Sequence, residues 1–392
     1  MKTSPDALPW ALIAAACLGS FAATSSGTTR APFLLEMAAD LDVSMPLVAN
    51  LVSLTATAWG ITSALAGWLS DIVGRRFVLS GGLMTLALAL VAQAMAGSFF
   101  WVALWATVGG GCAGSYTGVV FAEVSARVPD RQRGRALGWV MSGQSLTLVV
   151  GVPLAAAIGS LIGWRGWLAC VAALSFVASF CVLTTASGRN AAGKRLARPS
   201  LRTVLSGRVL ALLGIGISER ICYGLAAVYF ATFLQATYGL SLVETAAPLA
   251  VFALGNVGGT ILGGQLADRL RDRLRIFAVA MVLSGSAALA LFLWHPSPEV
   301  SVALGFLYVM LNAIGRPAYM TSLAAVPEEV RGTVLGLNGS SASVGWIGAA
   351  ALGAGMIGTV GFEGFGPLAA VLSLVGAAGA LLSRRRFRLT IR

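Results

Sequence analysis

One long apolar run ends in the stretch Gly67-Trp68-Leu69-Ser70-Asp71-Ile72-Val73-Gly74-Arg75-Arg76, a turn of small and charged residues. Another apolar run ends 197 positions later in a related stretch, Gly264-Gln265-Leu266-Ala267-Asp268. A second pair agrees with this spacing, because Val128-Pro129-Asp130 matches Val326-Pro327-Glu328 at an offset of 198. Two independent matches at nearly one offset indicate that the chain is a duplicated unit.

The composition excludes a water-soluble protein. Of the 392 residues, 57% are hydrophobic and 11% are charged, whereas soluble domains carry about 25% charged residues. The same figures exclude disordered, collagen-like and disulfide-rich secreted chains. A helix that crosses a bilayer needs about 20 apolar residues. Apolar runs of this kind predict twelve spans, at residues 8–30, 47–70, 77–96, 99–122, 136–160, 166–187, 209–235, 245–267, 276–294, 300–324, 333–358 and 365–383.

The spans fall into two halves. We therefore predict an all-α membrane protein whose twelve transmembrane helices form two pseudo-symmetric bundles of six. Residues 1–187 are predicted to form the first bundle and residues 209–392 the second. The segment 188–208 between them is the longest polar stretch and holds six Lys and Arg residues, so it is predicted to be a basic cytoplasmic linker.

The basic residues mark one side of the membrane. A formal net charge of +12 would suggest nucleic-acid binding in a soluble protein. Here 23 of the 27 Lys and Arg residues fall in the tails, the linker and the loops on one side of the predicted helices, and the opposite loops carry mostly acidic residues. This positive-inside pattern predicts that both termini lie in the cytoplasm and that the protein contacts lipid, not nucleic acid. The first apolar run is predicted to be a helix, not a cleaved signal peptide.

The sequence lacks the signals of an enzymatic or metal site. The only histidine, His295, lies beside Pro296 in a predicted outer loop, which disfavours a catalytic triad, a His-ligated metal centre and an intramembrane His relay. Gly-x-Ser-x-Gly, His-Glu-x-x-His and P-loop motifs do not occur in the sequence. We predict no enzymatic activity, no catalytic residue, no cofactor and no metal. The five cysteines lie in apolar runs without metal-ligand spacing and are expected to be packing residues: Cys17, Cys112, Cys170, Cys181 and Cys222.

The opening motif is similar to that of a known family. The stretch from Gly67 to Arg76 resembles the signature loop of the major facilitator superfamily, Gly-x-Leu-Ala/Ser-Asp-x-x-Gly-Arg-Arg/Lys, and the resemblance extends over the whole chain. Two further motifs, Gly151-Val152-Pro153-Leu154 and Gly163-Trp164-Arg165, are similar to those of the drug and sugar efflux branch. The resemblance implies a monomeric secondary transporter of the cytoplasmic (inner) membrane. It implies alternating access of two halves, a small-molecule substrate and protons as the coupling ion.

By this resemblance the signature loop is a conformational latch. Small residues at Gly67 and Gly74 allow a tight turn and close helix approach. Asp71 can cap the N-terminus of a neighbouring helix, which the resemblance identifies as predicted helix 11. Arg75 can reach a carboxylate at the inner end of predicted helix 4, where Glu123 is available. The alternative is a glycine-rich positive-inside loop without that role. The predicted latch comprises Gly67, Asp71, Gly74, Arg75, Arg76, Glu123 and Asp268.

Two departures from the family pattern bear on proton coupling. The arginine that the family usually carries in helix 4 is missing from Leu104-Trp105-Ala106-Thr107-Val108-Gly109-Gly110-Gly111, so its coupling role is not carried over. In helix 5, Thr147 and Ala155 replace two glycines of the antiporter motif, whose other members are retained. These departures weaken the inference of export by proton antiport.

Four arginines remain outside the cytoplasmic segments. Arg165 falls in a predicted outer loop, where we expect no special role for it. Arg30, Arg220 and Arg316 lie within or beside predicted helices 1, 7 and 10, where a charge near the bilayer centre costs about 2.5–3.5 kcal/mol and tends to face water or a partner. The resemblance implies that helices 1, 4, 7 and 10 line the central cavity. An electropositive pocket of arginines would bind an anionic or zwitterionic substrate.

Glu219 is the candidate proton carrier, because it is the only carboxylate near mid-membrane and burial favours the neutral form of a carboxyl group. Glu219 and Arg220 can instead neutralise groups on adjacent helices. Arg316 can bind carbonyls freed by Pro317, and Arg30 can snorkel to the outer surface. The substrate and proton pathway candidates are Arg30, Glu219, Arg220, Tyr223, Arg316, Tyr116 and Asn312.

The leading hypothesis for function is proton-coupled efflux of a small organic molecule by antiport. The alternative is uptake or exchange of a small organic anion through an arginine-lined cavity. A membrane enzyme and a non-transporting receptor are disfavoured by the missing catalytic motifs and by the transporter signature.

Overall fold

The computed structural model of the protein describes residues 9–186, 206–270, 272–326 and 328–389. The apolar runs form long helices, because a helix satisfies each backbone N–H and C=O within its own segment and so tolerates lipid. The chain divides into two compact units. Met1–Ser44 and Leu54–Gly193 make up the first unit, and Met45–Ser53 and Lys194–Arg392 make up the second.

The described residues before the linker contain eight α-helices. They are α1 (Trp10–Thr28), α2 (Leu34–Asp40), α3 (Met45–Ala49), α4 (Leu51–Val73), α5 (Arg75–Ala94), α6 (Phe99–Ala126), α7 (Asp130–Leu146) and α8 (Val152–Thr185). A 3-10 turn, Ala31–Phe33, precedes α2, and a π-helical turn, Thr147–Gly151, joins α7 to α8.

The described residues after the linker contain six more α-helices. They are α9 (Gly207–Tyr238), α10 (Ala246–Arg269), α11 (Arg273–Leu293), α12 (Pro298–Ala324), α13 (Glu328–Thr359) and α14 (Phe365–Leu389). A 3-10 turn, Phe362–Gly364, precedes α14.

Corresponding helices pack together in the two units. In the first unit α1 packs against α6, α7 and α8, and α5 packs against α6 and α8. In the second unit α9 packs against α12, α13 and α14, and α11 packs against α12 and α14. These pairs follow the sequence repeat. Residues 187–205, most of the predicted linker 188–208, lie outside the described residues, so the predicted domain bounds stay a prediction.

Ten helices of the described residues are long and apolar enough to cross a membrane. One of them, Arg135–Thr185, contains the predicted spans 136–160 and 166–187, between which Gly163 breaks the helix with a φ of 69°. The predicted span 99–122 corresponds to α6, which is not among the ten because its glycines and small polar residues lower its mean hydropathy. Each of the twelve predicted spans thus has a helical counterpart in the structure.

Glycines at every fourth position allow close helix packing in each unit. An added Cβ at any of three glycines of α6 would come within 2.6 Å of atoms of α4. At three glycines of α10 it would come within 2.8 Å of backbone oxygens of α12. Residues four apart lie on one helix face, so each set forms a flat strip on which the partner helix rests. The two sets are Gly110, Gly114 and Gly118 in α6, and Gly255, Gly259 and Gly263 in α10.

Candidate functional site

A buried ion pair joins α9 and α12 in the second unit. Glu219 lies near the middle of α9, and 1% of its side chain is exposed. Its Oε1 accepts two hydrogen bonds from Arg316 of α12, one from Nε at 3.2 Å and one from Nη2 at 3.0 Å. The interpretation that Glu219 neutralises a group on an adjacent helix therefore agrees with the structure.

The environment of Arg316 directs its guanidinium to side chains. Pro317 follows it inside α12, where a proline leaves a carbonyl without its helical hydrogen bond. The hydrogen bonds described for Arg316 nevertheless go to Glu219 and, through Nη1 at 3.4 Å, to Oδ1 of Asn256 on α10. These contacts therefore do not support the alternative that Arg316 binds the carbonyls freed by Pro317.

Arg220 faces the second oxygen of the same carboxylate. Its Nε lies 3.9 Å from Oε2 of Glu219. This Nε is buried and has no hydrogen-bond partner among the described residues. The side chains of Arg220 and Arg316 are 20% and 19% exposed. One carboxylate is thus shared between two guanidinium groups, and the three side chains carry a formal charge of +1.

Tyr223 lies one turn after Glu219 on α9. The guanidinium carbons of Arg316 and Arg220 are 4.9 and 5.7 Å from the centre of its ring, distances at which cation–π attraction operates. Its buried hydroxyl has no hydrogen-bond partner among the described residues. Trp346 of α13 packs edge-on against the ring, with 5.8 Å between the ring centres. We refer to Glu219, Arg220, Tyr223 and Arg316 as the charged cluster.

Asn312, another sequence-predicted candidate, lies one turn before Arg316 on α12 and is fully buried. Its Nδ2 is 3.9 Å from Sδ of Met281 on α11, and its Oδ1 has no partner among the described residues. Its described contact is thus a helix–helix contact with α11. Tyr319, one turn after Arg316, also makes a helix–helix contact, since its hydroxyl donates to Oδ1 of Asn338 on α13 at 2.8 Å.

Two other candidates, Tyr116 and Arg30, lie in the first unit. The hydroxyl of Tyr116 is buried against Gly19 and donates to the carbonyl oxygen of Ala16 at 2.9 Å, which is a contact between α6 and α1. Arg30 is only 5% exposed, and its Nε donates to the carbonyl oxygen of Ser26 at 2.9 Å. Arg30 therefore does not snorkel to the surface, because its side chain folds back onto the last turn of α1.

The predicted latch begins with a turn that requires glycine. Gly74 has a φ of 98°, a conformation that strains any residue with a Cβ. Arg75 donates through Nη1 to the carbonyl oxygen of Ala122 on α6 at 3.3 Å. The next residue, Glu123, accepts hydrogen bonds from Nε and Nη2 of Arg127 at 3.0 and 2.9 Å. Arg75 thus contacts the predicted turn of α6 at the main-chain carbonyl of Ala122. The carboxylate of Glu123 is hydrogen-bonded by Arg127.

The remaining latch residues differ in their surroundings. A Cβ at Gly67 would meet no described atom within 4 Å, so the described part of the chain shows no close helix approach there. Asp268 is exposed, and the buried Nε of Arg76 has no partner among the described residues. The side chain of Asp71 lies outside the described residues. The latch role stays a prediction.

The expectation that Arg165 has no special role is wrong. The turn at Gly163 presents the main-chain N–H of Trp164 to Oε1 of Glu36 at 3.1 Å. The indole Nε1 of Trp164 donates to Oδ2 of Asp40 at 3.2 Å. Arg165 donates to the same oxygen from Nε at 3.2 Å and from Nη2 at 2.7 Å. We refer to Glu36, Asp40, Trp164 and Arg165 as the outer clasp.

Arg165 also binds a third loop. Its Nη1 donates to the carbonyl oxygens of Ala94 and Ala96 at 2.8 and 2.7 Å, at the end of α5. One guanidinium thereby connects the segment after α1, the turn after α5 and the turn inside α8. The acids at 36 and 40 opposite an outer-loop arginine are the available sequence signal, but backbone carbonyls leave no trace in a sequence.

Comparisons with known proteins agree with this architecture. The family model described as Major Facilitator Superfamily matches residues 16–280 and 249–390. A chloramphenicol resistance protein of Streptomyces lividans is 28% identical over 311 residues, which cover 75% of this chain and 79% of that protein. A probable sugar efflux transporter of Helicobacter pylori is 30% identical over 277 residues, 67% of this chain and 69% of that protein. The crystal structure of a D-xylose-proton symporter aligns with a TM-score of 0.78 at 15% identity, covering 95% of this chain and 97% of that chain.

Proposed function

The chain belongs to the major facilitator superfamily, and we propose that it carries a small organic anion across the cytoplasmic membrane together with a proton. It is a multi-pass membrane protein with the family's all-helical fold, and its family consists of transporters of small molecules, not enzymes. The placement of basic residues supports an orientation with both termini in the cytoplasm.

The observation that carries the proposal is the sharing of one carboxylate by two arginines in the charged cluster. Arg316 takes one oxygen of Glu219 at 3.0 Å, whereas Arg220 lies 3.9 Å from the other oxygen. The two positive charges face a single negative charge, and an uncompensated buried charge is costly, so a second anion would stabilise the cluster. Donors for it are present, because Nε of Arg220 and the hydroxyl of Tyr223 lack partners among the described residues. Guanidinium groups suit carboxylate, phosphate and sulfonate.

The charged cluster also couples binding of the anion to binding of the proton. Protonation of Glu219 would leave both arginines without a counter-charge, which a bound anion would replace. Conversely, an anion that takes over Arg316 would leave the carboxylate of Glu219 without the two hydrogen bonds that it accepts from Arg316. The proton and the anion therefore promote each other's binding, and this coupling is reciprocal by linkage. Ligands that bind together move in one direction, which favours symport.

Efflux by proton antiport is the second candidate. It is supported by the names of the two relatives, a chloramphenicol resistance protein and a probable sugar efflux transporter. A second support is Gly143 of α7, a glycine of the antiporter motif that this chain retains. An added Cβ at Gly143 would collide with the carbonyl oxygen of Cys17, so this glycine allows α7 to pack closely against α1. In this mechanism the proton and the substrate would exclude each other from the site.

Transport into proteoliposomes separates the two functions. The purified protein is tested with labelled monocarboxylates, zwitterions and lipophilic cations, under a pH gradient imposed in either direction. Symport predicts that an acidic exterior accelerates accumulation of anions, whereas antiport predicts that an acidic interior accelerates accumulation of the substrate. A flux that ignores both gradients refutes proton coupling.

Variants of the charged cluster test the residues. Glu219→Gln mimics the protonated carboxyl group, so it should keep exchange of the anion across the membrane but lose the response to a pH gradient. Arg316→Ala removes charged hydrogen bonds worth about 1.5–3 kcal/mol, so the apparent affinity for the anion should fall about 10- to 150-fold. Glu299→Gln, an exposed position on the same α12, is the matched control. If Arg220→Ala and Arg316→Ala both transport like the wild type, the anion hypothesis is refuted.

A further inference from the structure

We propose that Gly345 of α13 is a positioning residue that sets the place of Arg220 in the charged cluster. The proposal rests on the proposed function, because it matters for transport only if Arg220 contributes to anion binding. Gly345 does not touch Glu219 or Arg316 in the described contacts, and no charge or polar group marks it in the sequence.

The geometry at Gly345 leaves no room for a side chain. An added Cβ would stand 2.5 Å from Cβ and 2.6 Å from Cγ of Arg220, and 3.4 Å from the carbonyl oxygen of Ile217. The Cβ of Arg220 is fixed to its backbone and Cγ is one bond further out. The side chain cannot relieve such a collision by moving its flexible end, so either its first torsion angle or the spacing of α9 and α13 must change.

The neighbouring contacts show that this face is closely packed. An added Cβ at Gly224, one turn after Arg220 on α9, would lie 2.6 Å from Cβ of Ala349 on α13. Trp346, next to Gly345, packs edge-on against Tyr223. The stem of Arg220 therefore lies along α13 at Gly345, and this path brings its guanidinium towards Glu219 and over the ring of Tyr223. A methyl group at position 345 would remove that path.

Helix propensity acts in the opposite direction. Glycine inside a helix is less favourable than alanine, so Gly345→Ala would stabilise an isolated α13. A loss of transport in Gly345→Ala would therefore report the collision with Arg220 and not a weaker helix. The same helix supplies two controls. A Cβ at Gly339 meets no described atom within 4 Å, and a Cβ at Gly348 lies 2.9 Å from Cδ1 of Ile221, the movable end of that side chain.

The test measures the apparent affinity for the most strongly transported anion, and its dependence on external pH, in proteoliposomes. We expect Gly345→Ala to lower the affinity about tenfold and to shift the pH profile in the same direction as Arg220→Ala. Gly339→Ala and Gly348→Ala should stay within about twofold of the wild type. A tenfold change corresponds to about 1.4 kcal/mol.

A double variant tests whether Gly345 acts through Arg220. In an Arg220→Gly background the stem is gone, so adding Gly345→Ala should change neither the affinity nor the pH profile further. If the single variant Gly345→Ala does not fold, the double variant should fold, because the collision has been removed. A double variant that also fails to fold would place the collision elsewhere and overturn the proposal.

The outcomes separate this proposal from the proposed function. If Arg220→Ala lowers the affinity and Gly345→Ala matches the wild type, the positioning role is overturned and anion binding stands. If Gly345→Ala lowers only the thermal unfolding midpoint and leaves affinity and pH profile unchanged, the residue is structural and the proposal is again overturned. If Arg220→Ala and Arg316→Ala are both without effect, the proposed function and the positioning role fall together.

Discussion

Replacing Arg165 by alanine should loosen the first unit without touching the charged cluster. The substitution removes two charged hydrogen bonds to the carbonyl oxygens of Ala94 and Ala96, at 2.8 and 2.7 Å, and the ion pair with Asp40 at 2.7 Å. Arg165 and Asp40 are 35% and 43% exposed, so we count about 1 kcal/mol for each carbonyl bond and about 0.5–1 kcal/mol for the ion pair. The expected loss of stability is about 2.5–3 kcal/mol.

This loss should appear as a lower thermal unfolding midpoint in detergent. At about 2–4 °C per kcal/mol for a unit of this size, the midpoint should fall by about 5–12 °C. A thiol-reactive dye can report unfolding of the first unit, because Cys17, Cys112 and Cys181 are partly shielded there. The exposed Cys170, and Cys222 of the second unit, are replaced by serine beforehand, so that an increase in the dye reaction comes from the first unit.

Two further variants sharpen the test. Arg165→Lys keeps the charge, but one ammonium group cannot serve both Asp40 and the carbonyls of α5, so an intermediate midpoint is expected. Arg384→Ala breaks a comparably exposed ion pair with Asp272 in the second unit and should leave the dye reaction of Cys17 and Cys112 unchanged. An Arg165→Ala midpoint within about 1 °C of the wild type, well short of the expected fall, would show that these contacts do not stabilise the first unit. An Arg165→Lys protein as stable as the wild type would show that the guanidinium geometry is not needed.

Two more predictions concern glycines. Gly259→Ala should lower the melting midpoint, because its Cβ would collide with the carbonyl oxygen of Met310, whereas Gly258→Ala, with no described atom within 4 Å, should melt at or above the wild-type temperature. Equal midpoints for these neighbours would contradict the close packing of α10 on α12. Gly74→Ala places a side chain at a φ of 98° and should cost about 1–3 kcal/mol. A Gly74→Ala protein as stable as the wild type would show that this turn relaxes without strain.

The helices follow from the sequence because the signals that specify them are local. A run of about 20 apolar residues must satisfy its backbone internally and becomes a helix wherever it lies in the chain. The placement of Lys and Arg orients these helices by the same local logic. Among the predicted spans, α6 is the one that is not counted with the ten described helices apolar enough to cross a membrane. Its glycines lower its mean hydropathy, and the same glycines pack α6 against α4.

The outer clasp shows where local signals end. The stretch Gly163-Trp164-Arg165 stands out in the sequence by its family resemblance, yet its partners are two acids about 125 positions away and two backbone carbonyls. Carbonyl acceptors occur at every residue, so the sequence gives no reason to prefer Ala94 and Ala96. Of these partners, only Glu36 and Asp40 can be recognised from the sequence. There they indicate only that the loop lies on the side of the membrane opposite the basic residues.

The charged cluster marks a different limit. The sequence predicts that Glu219 and Arg316 lie within spans, but they are 97 residues apart and their pairing depends on how α9 and α12 are rotated about their axes. An amphipathic helix reveals its rotation through its apolar stripe. α9 is apolar on nearly all sides and buried along most of its length, so hydrophobicity does not select a face.

Glycine spacing carries the rotational information that hydropathy lacks in such helices. A glycine whose Cβ would collide with a neighbouring helix identifies the face that the helix turns towards that neighbour. Gly224 on α9 and Gly345 on α13 mark the two faces that meet, and they place Arg220 on the α13 side of α9. Glu219 precedes it by one position, about 100° around the helix, and its carboxylate faces Arg316 of α12. Arg220 and Arg316 thus approach the carboxylate of Glu219 from two directions, Arg220 along the α13 side of α9 and Arg316 from α12.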